Sequence, residues 1–101
     1  MRIIVFFDLP VQTSADRREY TKFRKYLIKS GYLMLQESVY CKLILNSSAA
    51  ESLSEQMHRN KPPKGIVQLL AITEKQFSKI DYIVGAPTTD VLNTDKRTLL
   101  I

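Results

Sequence analysis

The run Arg2-Ile3-Ile4-Val5-Phe6-Phe7-Asp8-Leu9 is β-branched and aromatic, apolar at both parities, and stopped by Pro10. A strand whose alternate side chains are all apolar has no face to leave in water, so it reads as a central strand buried on both sides. The segment Ile3 to Phe7, closed by Asp8 and Pro10, is far too short for a secretory leader or a membrane span. The chain therefore has to build a layered domain around its own first residues.

Thr13-Ser14-Ala15-Asp16 is a helix-start signal, a hydroxyl acceptor followed three residues on by a carboxylate near the positive end of the helix dipole. The helix is expected to run to Ser30 and stop at Gly31. At 100° per residue Arg18, Lys22, Lys25 and Lys29 fall within about 60° of one another, with Arg17 and Arg24 on the flank. Tyr20, Phe23 and Leu27 lie on the opposite side. A solvated helix usually interleaves acids for i,i+4 support, but here only Asp16 and Glu19 are available.

The stretch Tyr32 to Leu45 is too long for one strand and is broken at Gln36, Glu37 and Ser38, which predicts a hairpin. Ser48-x-x-Glu51 has the capping-box pattern, and Ala50, Leu53 and Met57 follow at helical spacing before Pro62 and Pro63. Gly65 to Thr73 reads as another two-sided apolar strand, Glu74 to Lys79 as a helical turn, and Tyr82-Ile83-Val84 as a short extra strand closed by Gly85. The order β-α-β-β-α-β predicts an α+β, ferredoxin-like domain over residues 1–85, a four-stranded antiparallel sheet with two helices on one face. Its other face then needs a second covering. Residues 86–101 form a polar tail ending Leu99-Leu100-Ile101, an apolar terminus expected to dock on something.

A chain of 101 residues buries only about two-thirds of the surface its unfolded form exposes, so association with a second copy is expected. Fifteen Lys plus Arg against ten Asp plus Glu leave a net charge of +5, which favours anionic partners. A membrane surface is disfavoured because the apolar side of the basic helix is its core side. The single cysteine, Cys41, and single histidine, His58, exclude an internal disulfide and any zinc site built on Cys or His clusters, and they place the chain in a reducing compartment, the cytoplasm. Cys41 reads as a small buried hydrophobe, His58 as a residue at a favourable helix end, and Ser38 as a turn hydroxyl.

Two features carry chemistry. Asp8 ends an apolar strand, where a carboxylate is costly unless it meets a partner, a metal or solvent; a turn-binding role is the bland reading. One carboxylate is a poor magnesium or manganese site, but two copies paired across their open sheet faces would bring two Asp8 carboxylates together, able to hold a divalent cation and hydrolyse a phosphodiester. The second feature is the basic stripe, suited to neutralising a phosphate backbone without reading bases. A sheet-face RNA-binding module of the same element order is disfavoured, because Val39-Tyr40-Cys41-Lys42 lacks the Lys/Arg-Gly-aromatic pattern.

With Ile3 to Pro10, the Arg-bearing helix, Gly31-Tyr32 and Gln36-Glu37-Ser38-Val39-Tyr40 in view, the chain resembles the Cas-two family of CRISPR-associated proteins over nearly its whole length. Its length and tail look like those of type II systems. The resemblance implies a homodimer formed sheet to sheet, a C-terminal strand passing to the other protomer, and a tail engaging the Cas-one integrase, which would account for Leu99, Leu100 and Ile101. It places a metal-binding aspartate at Asp8 and backbone-contacting arginines at Arg17 and Arg18. It implies two activities: a scaffold on double-stranded DNA that bridges integrase dimers during spacer acquisition, or a Mg2+- or Mn2+-dependent endonuclease acting on RNA or duplex DNA. No second acidic residue, general base or general acid is placed by the sequence, which favours the scaffold.

Overall fold

In a computed structural model that describes residues 1–87, the opening run forms β1 (Arg2–Asp8) in the interior of a four-stranded sheet. The other strands are β2 (Leu33–Gln36), β3 (Val39–Leu43) and β4 (Ile66–Ile72), in the order β2-β3-β1-β4 with every neighbouring pair antiparallel. Helices α1 (Ser14–Lys29) and α2 (Ser47–Arg59) complete the ferredoxin-like βαββαβ order. The Tyr32–Leu45 stretch is the expected hairpin, turning at Glu37 and Ser38 with a register irregularity between Met34 and Gln36.

Alternation sorts β1 between two layers. Ile3, Val5 and Phe7 point to the helical side and join Phe23 and Leu27 of α1, Tyr40 of β3 and Met57 of α2 in the main core. Phe7 is its centre, with its ring edge-on to Phe23 at 5.3 Å and 5.7 Å from Tyr40. α1 starts with the expected capping box: the Thr13 hydroxyl accepts from Asp16 N and the Asp16 carboxylate accepts from Thr13 N. It ends at Ser30, where Gly31 takes a φ of +90° and Lys42 Nζ donates to the Ser30 carbonyl at 2.7 Å.

Two expectations, the start of α2 and the strand at Tyr82–Val84, are corrected. α2 is capped by Asn46, whose side chain accepts from Ala49 N, so it starts before the Ser48 box; Asn caps as well as Ser and is reached first. β4 is the expected two-sided apolar strand; it lies at the sheet edge, and Ile66 and Leu70 remain 56% and 51% exposed. Tyr82-Ile83-Val84 forms no strand: it has no sheet partner among the described residues, and Ile83 and Val84 are 84% and 90% exposed. A strand this short has no hydrogen bonds of its own to hold it extended. Leu99, Leu100 and Ile101, with the tail from 88 onward, lie outside the described residues.

The second sheet face carries Arg2, Ile4, Phe6 and Asp8 of β1, with Cys41 and Val39 opposite on β3 and Leu70, Gln68 and Ile66 opposite on β4. The expected helical turn forms α3 (Glu74–Ser78), which folds back over one end of this face and buries Phe77 against Ile4 and Cys41. The end that carries Asp8 has no such cover among the described residues. Half-exposed Ile66 and Leu70 each forgo roughly 1 kcal/mol of burial, so the face favours a covering layer. No helix of the described residues is long and apolar enough to cross a membrane.

Candidate nucleic-acid interface and an isolated carboxylate

Asp8 is the last residue of β1, paired with Ile66 across β4, and its side chain is exposed on the open face. The backbone beneath it is tightly held. Gly65, at a φ of +92°, packs so close that a Cβ there would sit 2.5 Å from the Asp8 carbonyl oxygen. No group of three or more His, Cys, Asp or Glu side chains suited to a metal ion exists among the described residues. One copy therefore presents a single carboxylate, the low end of the one or two that Mg2+ ordinarily takes from protein.

On α1, Arg18, Lys22, Lys25 and Lys29 are all exposed on the face turned from the Phe23–Leu27 core side. From Arg18 to Lys29 the helix rises about 16 Å, so these four cations stand on average about 5.5 Å apart along the axis. One strand of duplex DNA carries a charge about every 3.4 Å, so the linear charge density of the helix is lower than that of the strand but of the same order. The flanking arginines are engaged locally. Arg17 Nη1 donates to the carbonyls of Val11 and Gln12 at 3.2 and 3.1 Å, tying the β1–α1 loop to the helix, and Arg24 Nε donates to the buried Tyr40 hydroxyl at 3.0 Å.

The remaining residues keep their bland roles. Cys41 is fully buried, and burial pushes its thiol up, partly opposed by Arg2, whose Nη1 approaches the sulfur at 3.8 Å. That environment disfavours a thiolate nucleophile. His58 lies in the last turn of α2, as expected, and lines a groove of about 370 Å3 between α2 and β4 with Lys61 and Lys64 at its mouth. Arg59, Lys61 and Lys64, not singled out above, stand beside α1. The signal was present as three cations in six residues, but it straddles the end of α2 and has no helical period to make it visible. Lys64 Nζ lies 3.9 Å from Asp16 and is 72% exposed, a contact worth little by itself.

The architecture and surface together define a small ferredoxin-like domain with one open sheet face, a lone carboxylate at its edge and a cationic helical face. The chain belongs to the CRISPR-associated protein Cas2 family, whose family model matches residues 1–80. It is 52% identical over 101 residues to the CRISPR-associated endoribonuclease Cas2 of Treponema denticola, covering 100% of both chains. It is 43% identical to the protein of the same description from Streptococcus mutans, covering 100% of this chain and 93% of that one. The crystal structure of Streptococcus pyogenes Cas2 superposes with a TM-score of 0.62, covering 84% of this chain and 100% of that chain at 14% identity, a likeness of fold.

Proposed function

We propose that this chain is a homodimeric scaffold of CRISPR spacer acquisition that holds duplex DNA by its backbone and bridges Cas-one integrase dimers. The observation that carries the reading is the exposed single-sign face of α1, where four cations line about 16 Å of helix, a row suited to neutralising a phosphate backbone without reading bases. The open end of the sheet and the exposed aliphatic run through Ile83 and Val84 support a dimer in which each copy covers the other's apolar face. The test is spacer integration with the purified chain, its cognate integrase and a short duplex. Integration is expected to require this chain and to fall with Arg18→Ala/Lys22→Ala; full integration by that variant, or without the chain, overturns the reading.

A second reading, a metal-dependent endonuclease cutting RNA or duplex DNA, is favoured by the position of Asp8 and by the description of the relatives as endoribonucleases. Two Asp8 carboxylates facing across a dimer axis would hold Mg2+ or Mn2+, and such a cation supplies an acidified water for phosphodiester hydrolysis. Asp8 is exposed, so Asp8→Asn is expected to leave the fold intact. Loss of integration and of cleavage together in that variant, with the dimer and its DNA affinity retained, would make the carboxylate part of the mechanism. Cleavage that persists in Asp8→Asn would dismiss the enzyme.

A further inference from the structure

We propose that the domain grips a nucleic-acid backbone in a trough with two basic banks, α1 supplying Arg18 and Lys22, and the end of α2 with the segment after it supplying Arg59, Lys61 and Lys64. The inference rests on the reading of α1 as a backbone-binding face and adds to it a second element. α1 runs away from the Asp8 end of the sheet and α2 runs back towards it, so the last turn of α2 comes to lie beside the first turns of α1. Two shallow grooves occupy the space between them. One, of about 220 Å3, has Arg18 on one side and Lys64 on the other. The next, of about 140 Å3, has Lys22 facing Arg59 and Lys61. Glu19 and Pro62 line both, so the grooves are consecutive parts of one trough.

The second bank is held in place rather than splayed. Pro62 and Pro63 restrict the backbone between Lys61 and Lys64, and Gly65 anchors the end of the segment, since its α-carbon lies so close that a Cβ would come within 2.8 Å of Leu9 Cδ2. Fixing cations in the free protein lowers the ordering cost of gripping a phosphate chain. Five cations border the trough against two carboxylates, Asp16 and Glu19. Asp16 is already engaged by the Thr13 amide and lies near Lys64, which leaves Glu19 as the charge that opposes an anionic occupant. The rings lining the trough, Phe23 and Tyr26, stack on each other and pack into the core, so the trough offers charge rather than a platform for bases. That combination selects the sugar-phosphate chain.

The experiment measures binding of a short mixed-sequence duplex by the full chain as a function of salt, for wild type, for Arg18→Gln/Lys22→Gln and for Arg59→Gln/Lys61→Gln/Lys64→Gln. Each cation on a phosphate contributes about 0.9 to the slope of log affinity against log salt, so the three substitutions of the second-bank variant are expected to flatten the slope by about 2.7 per copy and to weaken binding at least about tenfold. Glu19→Gln is expected to tighten binding severalfold, while Glu51→Gln, an exposed carboxylate on α2 that lines no part of the trough, leaves it unchanged. Weakening by the α1 variant with unchanged affinity and slope in the second-bank variant overturns the two-bank trough and leaves the α1 reading standing. Unchanged binding in both overturns the α1 reading and the trough with it. Equal tightening by Glu19→Gln and Glu51→Gln would assign the effect to net charge and also overturn it.

Discussion

Arg2 and Glu74, 72 residues apart, are joined across the second face of the sheet: Arg2 Nε donates to both carboxylate oxygens of Glu74 at 3.1 and 3.0 Å. The guanidinium is fully buried and its carbon lies 4.0 Å from the centre of the Phe77 ring. This pair pins α3 over one end of the apolar face and thereby divides that face into a covered end and an open one. Removing Glu74 takes a charged partner from the buried Arg2 guanidinium, although the 41% exposure of the Glu74 side chain keeps the loss below that of a fully buried pair. Glu74→Ala is expected to cost about 2 kcal/mol in urea unfolding, with amide protection at Phe77 falling first. An unchanged midpoint would mean that the Arg2–Glu74 pair does not hold α3.

Tyr32 is buried and its hydroxyl has no hydrogen-bond partner among the described residues. Burial, reinforced by Tyr26, pushes its phenol from an ordinary value of 10 up to about 12. Below pH 10 both folded and unfolded chains keep the proton and there is no pH dependence from this group; between pH 10 and 12 the unfolded chain releases it first, so stability falls as pH rises. Tyr32→Phe is expected to remove that fall and to be neutral or stabilising by about 1 kcal/mol at neutral pH, because the lost hydroxyl was unsatisfied. Unfolding midpoints across the alkaline range, for both proteins, check the sign.

Gly65 and Gly85 both adopt positive φ, at +92° and +88°, but only Gly65 is enclosed. A methyl group there would meet the Asp8 carbonyl oxygen at 2.5 Å, whereas at Gly85 nothing lies within 4 Å. Gly65→Ala is expected to destabilise the domain by about 2 kcal/mol or more and to shift the backbone amide resonances of Asp8 and Leu9. Gly85→Ala carries only the conformational cost, about 1 kcal/mol. Equal effects would show that the close approach at Asp8 relaxes freely.

Arg17 and Arg18 are neighbours in sequence with different duties. Arg17 holds the Val11 and Gln12 carbonyls, and Arg18 borders the trough. Arg17→Ala is expected to speed hydrogen exchange in the 11–13 loop with a smaller change in the salt dependence of DNA binding than Arg18→Ala produces. The reverse order would transfer the phosphate-contacting role to Arg17.

Much of this was legible in the chain because it is local. The two-sided run of β1, the Thr13–Asp16 box, the Gly31 stop and the hairpin break each depend on residues within a few positions, and each is found in the structure. The start of α2 was misplaced because two cap signals overlap and the earlier one, Asn46, prevails. The Tyr82–Val84 strand was misread because β-propensity describes a side chain's fit to a sheet and cannot supply a neighbouring strand.

The sequence by itself determined the element order, the apolar parity of β1 and the single-sign stripe of α1, since periods of 2 and 3.6 residues assign side chains to faces before any tertiary contact forms. Tertiary structure decided which sheet face Asp8 shares, that β4 is an edge, that Arg2 meets Glu74, and that Arg59, Lys61 and Lys64 stand across from α1. Those relationships depend on closing long loops around one core, and their partners are separated by many residues with no period to connect them.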